Sequence, residues 1–191
     1  MPDTLNIQNI DFQKTLDAKV LCEGIGLHSG CKIRMQILPA EPNQGIIFIR
    51  EDVANSQKIY ASYKSVSDTK LGTTIANKAG YKVRTIEHLM AAFMGLKIDN
   101  AIVILSGNEV PIMDGSSKVF VGLINEVGIR EQFVKRKVIK VLREIAVYDG
   151  KSSIIATPSN DFTINYKIDF EDPAIGIQKQ KFSILGSNFD K

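Results

Sequence analysis

Apolar and polar positions along this chain follow two rhythms. Lys32-Ile-Arg-Met-Gln-Ile37 alternates residue by residue, the period of a strand with one wet face and one buried face. Gly45-Ile-Ile-Phe-Ile49 and Ala101-Ile-Val-Ile-Leu105 are denser apolar runs and also read as strands. Between them, Ile86, Leu89, Met90 and Phe93 recur at helical spacing, which predicts a helix over 85–96 with one buried stripe and Thr85 as its cap. A second helix is predicted from Ser116 or Ser117 through Phe120, Leu123, Ile124 and Val127, stopping at Gly128. Strands and helices without regular alternation give an α+β fold class, a sheet packed with two helices. Beyond Gly128-Ile-Arg-Glu-Gln-Phe-Val134, the basic cluster Lys135-Arg136-Lys137 leads into β-like runs at Val138-Ile139, Ser153-Ile-Ile-Ala156 and Phe162-Thr-Ile-Asn-Tyr-Lys-Ile168. The boundary is placed there: residues 1–134 form a first domain and 135–191 the start of a second.

The chemistry concentrates at Glu87-His88, in the first helical turn and off the apolar stripe. A carboxylate there is favoured by the helix dipole, and the exposed amides of a helix start suit a polar cleft. Two readings fit: a dipole-complementing acid beside a surface histidine, or a base beside a metal ligand. A zinc hydrolase needs both of the latter, but a zincin helix would carry a second histidine where Ala92 stands. Any further ligands must come from elsewhere, and the small Ala91 and Ala92 leave room for another segment. The other histidine, His28, lies in the glycine-rich turn Gly24–Gly30, either bonded to loop backbone or touching a substrate. That turn leads into a strand, which argues against a dinucleotide fingerprint. Thr73 and Thr74 are candidate cleft-lining groups, although β-branched residues in a strand need no such role. Asp68 and Asp114-Gly115 read as turns, and Asp99-Asn100 as the end of the preceding element.

Composition narrows the function classes. At 191 residues with 44% hydrophobic and 24% charged content, the chain suffices for one globular domain and part of another. No apolar run approaches the roughly 20 residues that span a bilayer, and Met1-Pro-Asp-Thr does not open a leader, so a cytoplasmic location is expected. Cys22 and Cys31 are expected as reduced thiols. A net charge of +3 defines no partner, and no basic face interleaved with aromatics points to nucleic acid.

Five motifs change the weight of Glu87-His88: Gly24-Ile-Gly-Leu-His28-Ser-Gly30, Asp68-Thr-Lys-Leu-Gly-Thr-Thr74, Thr85-Ile-Glu-His-Leu-Met-Ala91, Gly95-Leu-Lys-Ile-Asp-Asn100 and Val110-Pro-Ile-Met-Asp-Gly-Ser116. In this order and spacing the chain resembles the bacterial UDP-3-O-acyl-N-acetylglucosamine deacetylases, zinc amidohydrolases of lipid A biosynthesis. The resemblance implies two similar α+β domains, this chain holding the first and the opening strands of the second. It implies Glu87 as general base, His88 as a zinc ligand, and substrate contacts from Asp169 and Phe170 to uridine. His28, Thr73 and Thr74 join them as substrate-binding candidates. The resemblance also implies that a histidine and an aspartate completing the zinc site, and a general-acid histidine, come from later in the second domain. These 191 residues alone are therefore expected to be inactive. A noncatalytic interaction module that keeps the fold, with a complementary C-terminal fragment as partner, is the alternative. An RNA-associated domain would need a steeply salt-dependent affinity.

Overall fold

The structure, a computed structural model, describes residues 12–55 and 57–183. In chain order the strands are β1 (Phe12–Leu16), β2 (Val20–Ile25), β3 (Lys32–Pro39), β4 (Ile46–Arg50), β5 (Ile59–Tyr60), β6 (Val66–Asp68), β7 (Thr74–Ala76) and β8 (Lys82–Val83). Helix α1 (Glu87–Gly95), β9 (Ala101–Leu105), helix α2 (Lys118–Val127) and β10 (Ile129–Lys135) follow, then β11 (Ile145–Asp149), β12 (Ser152–Ala156), β13 (Thr163–Asp169) and β14 (Ile177–Ser183). The fold class is α+β. Contacts divide the chain into two units, one ending at Arg136 and the other beginning at Lys137.

The first unit is built on a five-stranded sheet in the order β2-β3-β9-β4-β5, in which only β4 and β9 run parallel. Its registers line up Val20, Ile37, Val103, Phe48 and Ile59 in one row across all five strands. All five are buried, so the strict period of 2 in β3 is repeated by its neighbours and defines the core face. Leu21, Arg34 and Tyr60 occupy the opposite, wetter face. Helix α2 packs against α1 and β2, sinking Phe120, Val121 and Ile124, while α1 sinks Leu89, Ala92 and Phe93. Each fully buried Leu, Ile or Phe stabilises the fold by about 1.5–3 kcal/mol. Ala92 is therefore part of the core, and the exposed Ala91 alone keeps the open position anticipated for both.

A smaller antiparallel sheet, β6-β7-β8, precedes α1. Strand β10, which the apolar pattern does not reveal, pairs with β1 and brings Leu16 opposite Ile129. Asn100 ties this ribbon to the main sheet. It is buried, its Oδ1 accepts from the Gly45 amide at 2.8 Å, and its Nδ2 donates to Gln13 at 2.9 Å and Gln132 at 2.8 Å. Thr15 Oγ1 adds to the join, donating to the Asn100 carbonyl at 2.7 Å. Asp99-Asn100 thus does more than end an element: Asp99 accepts from the Lys14 amide and pairs with Arg136.

The second unit contains two hairpins, β11-β12 and β13-β14. Gly150 takes φ 56° in the two-residue turn of the first, where a left-handed residue matches the strand twist. Val138-Ile139, expected to be β-like, lies outside any strand. Among the described residues no helix is long and apolar enough to cross a membrane. Cys22 and Cys31 are free thiols, and burial pushes the Cys22 thiol up to about 11, leaving it unreactive near neutral pH.

Because Asn100 satisfies partners from three segments, its replacement strands buried polar groups. Asn100→Ala is expected to lower the unfolding free energy by about 2–4 kcal/mol in chemical denaturation, and a loss within error would remove it as the tie.

Candidate active site

The site begins where the chain turns from β8 into α1. Arg84 bridges Glu109, its amide donating to the Asn108 carbonyl at 2.9 Å and its carbonyl accepting from Val110 at 3.1 Å. The next residue, Thr85, is buried with φ 56°, a left-handed conformation that costs a β-branched residue about 1–3 kcal/mol. The sequence places Thr85 as the helix cap. Instead, Ile86 holds the cap position without a side-chain bond, and the Thr85 hydroxyl donates to Glu109 Oε1 at 2.9 Å. Since a left-handed residue cannot start a helix, α1 begins later than the periodicity suggests, at Glu87.

Glu87 sits in the first turn, where the helix dipole favours its charge. Its Oε2 accepts from the Thr73 amide at 3.0 Å. Gly72, φ 154°, allows that approach: a Cβ there would lie 3.1 Å from Glu87 Oε1 and 3.8 Å from His28 Nε2. Gly72 therefore lies against both side chains. His28 Nε2 is 3.0 Å from the Leu71 carbonyl, which can only accept, so this nitrogen carries the hydrogen. The histidine bonds loop backbone, as one of its two readings anticipates, but the backbone belongs to a different loop.

Glu109 joins these parts. Fully buried, it accepts from the His28 amide at 3.0 Å and Thr85 Oγ1 through Oε1, and from the Ser29 amide at 2.9 Å through Oε2. Burial alone would raise its pKa, but the hydrogen bonds from His28, Ser29 and Thr85 outweigh it and hold the carboxyl below its ordinary value. Gly26 has no room for a side chain, since a Cβ would fall 2.5 Å from Glu109 Oε2 and 2.3 Å from Ser29 Oγ.

Glu87 and His88 are thus neighbours on the half-buried first turn of α1, with Thr73 and His28 brought beside Glu87. Thr74 is buried in β7. Asp169 and Phe170 belong to the second unit, at the end of β13, where Asp169 pairs with Lys167 at 2.9 Å and Phe170 is exposed. Sequence reasoning missed Glu109, Gly72 and Gly26. The available signal for Glu109 was an acid set immediately before the apolar run Val110-Pro-Ile112. Among the described residues, no group of three or more His, Cys, Asp or Glu is placed to hold a metal ion. His88 is a single imidazole donor.

Comparison with known proteins defines the class. The family model described as LpxC, UDP-3-O-acyl N-acetylglycosamine deacetylase, matches residues 13–191. A protein of Syntrophus aciditrophicus named UDP-3-O-acyl-N-acetylglucosamine deacetylase is 39% identical over 180 residues, 94% of this chain and 57% of that protein. One of the same name from Shewanella denitrificans is 42% identical over 169 residues, 88% of this chain and 55% of its own length. The chain belongs to the UDP-3-O-acyl N-acetylglycosamine deacetylase family. It spans about half the length of the curated relatives it matches.

Two outcomes check this geometry. Gly72→Ala forces the Glu87 carboxylate aside, so hydrogen exchange at the Thr73 amide should accelerate by about tenfold or more, and unchanged protection would refute the close approach. A depressed carboxyl contributes stability that is present above the ordinary glutamate value and lost as pH falls through the folded value. Denaturation followed from about pH 7 to about pH 3 should therefore show a shallower acid loss in Glu109→Gln than in the native chain.

Proposed function

We propose that this chain forms the base-bearing part of a zinc-dependent deacetylase that hydrolyses the acetamide of UDP-3-O-acyl-N-acetylglucosamine and releases acetate in lipid A biosynthesis. The observation that carries the reading is the Glu87 carboxylate, held by the Thr73 amide at the head of α1 beside His88. Zinc, when bound, supplies Lewis acidity and makes water easier to deprotonate. His88 would contribute one donor to it. Three protein donors are usual for catalytic zinc, so the others would come from residues outside those described here.

In the remaining steps this chain supplies the base and its support. The Thr73 amide engages Glu87 Oε2 and fixes the carboxylate plane, and Glu87 takes a proton as water oxygen attacks the acetamide carbon. A tetrahedral oxyanion forms; the carbon–nitrogen bond then breaks as the departing nitrogen takes a proton from the general-acid histidine that the family resemblance puts later in the second domain, and acetate leaves. A substrate contact from His28 is supported by its ring, which bonds the Leu71 carbonyl and lies near Gly72 beside Glu87. Thr73 and Thr74 are the cleft-lining candidates at that edge, Thr74 with its side chain buried in β7. Asp169 and Phe170 are assigned to the uridine group, the acid by hydrogen bonding and the ring by stacking.

With one histidine donor and no three-ligand cluster among the described residues, the isolated 191-residue chain is expected to bind zinc weakly and release no acetate. Zinc stoichiometry and an acetate assay check this; tight binding with turnover would refute it. A chimera in which these residues replace the matching half of the Syntrophus aciditrophicus relative should be active. There, Glu87→Gln should lower kcat by about 10²–10⁴-fold, and retained turnover would exclude Glu87 as base.

A further inference from the structure

We propose that Glu109 is a positioning residue whose carboxylate closes a ring of contacts around the candidate site and so sets where α1 presents Glu87 and His88. That role rests on the deacetylase reading above; the ring itself does not. From Glu109 Oε1 the path runs to the His28 amide at 3.0 Å, and through the His28 ring to the Leu71 carbonyl at 3.0 Å. It continues along Leu71-Gly72-Thr73 and crosses from the Thr73 amide to Glu87 at 3.0 Å. From Glu87 it returns through Ile86 to Thr85, whose hydroxyl ends on the same Oε1 at 2.9 Å. The Ile86 amide, 3.4 Å from the Thr73 carbonyl, braces the ring across its middle.

A packing role alone does not account for this residue. A buried carboxylate is a poor space-filler, because its charge must be matched by donors from every side. Here the donors come from two segments distant in sequence, the glycine-rich turn at His28-Ser29 and the junction at Thr85. Both need a fixed acceptor: Gly26 lies too close to Glu109 to carry a side chain, and Thr85 is held in a left-handed conformation. The backbone around Glu109 is itself locked to Arg84 by a pair of hydrogen bonds, so the acceptor cannot follow the groups it orients. A displaced Glu109 would thus shift His28 and Glu87 together.

The test uses the 191-residue chain and reads the far side of the ring by NMR. Glu109→Gln and Thr85→Val should move the Thr73 amide resonance, raise its exchange rate by about tenfold or more, and alter the His28 ring nitrogen shifts, while the Val103 amide stays protected. Thr85→Ser, which keeps the hydroxyl, should restore the native Thr73 and His28 signals. Thr85→Val also decides the matter should Glu109→Gln not fold. Unmoved Thr73 and His28 signals in folded Thr85→Val, or in Glu109→Gln with only a lowered unfolding midpoint, would overturn the proposal. In the active chimera, Glu109→Gln should lower kcat by about tenfold or more with KM little changed. A silent native chimera would count against the deacetylase reading, while the NMR outcome still decides the role of Glu109.

Discussion

The geometry of the first unit's candidate site depends on one buried negative charge having enough donors. Glu109 is surrounded by an amide pair from the glycine-rich turn and a hydroxyl from the helix junction, and these hold its carboxyl below the ordinary glutamate value although burial acts in the other direction. Low local dielectric strengthens each of these bonds and makes losing any of them expensive. The left-handed Thr85 and the absent side chain at Gly26 are local costs that this charge stabilises. Glu87 and His88 owe their position at the head of α1 to that arrangement.

The same logic recurs in neutral form at Asn100, where one side chain serves partners from Gln13, Gly45 and Gln132. Apolar packing defines the five-strand row from Val20 to Ile59 and forbids a slip of one residue, which would turn the core face outward, but a slip of two keeps the same face inward. Directional polar bonds at the margins select one register. Core and margin are therefore complementary: the first supplies most of the stabilisation, the second its uniqueness.

Much of the fold was legible because side-chain period and burial coincide. Strand β9 matches its apolar run residue for residue, and α2 ends at Gly128, whose φ of 85° suits a glycine. What escaped had no such periodicity. Strand β10 reads Ile-Arg-Glu-Gln-Phe-Val-Lys, half-exposed and paired with a partner more than a hundred residues earlier, so only tertiary contact makes it a strand. Thr85 looked like a helix cap because hydroxyl residues favour that place, and its true acceptor lies on a loop after β9. At the candidate site, Glu87-His88 was visible as a dipeptide, and motif resemblance gave it a role. Its supports were not visible, because Gly72 and Glu109 act through spatial contacts that sequence spacing does not encode.

The β1–β10 pairing has a consequence for how such a chain is made. Among the described residues the first strand of the unit finds its mate only in the last, so ribosomal synthesis must deliver most of the unit before that ribbon can zip. Until then Leu16, whose side chain ends fully enclosed, is available to wrong partners. A nascent chain of this design is therefore most exposed to chaperone capture and misassembly just before residues 129–135 emerge.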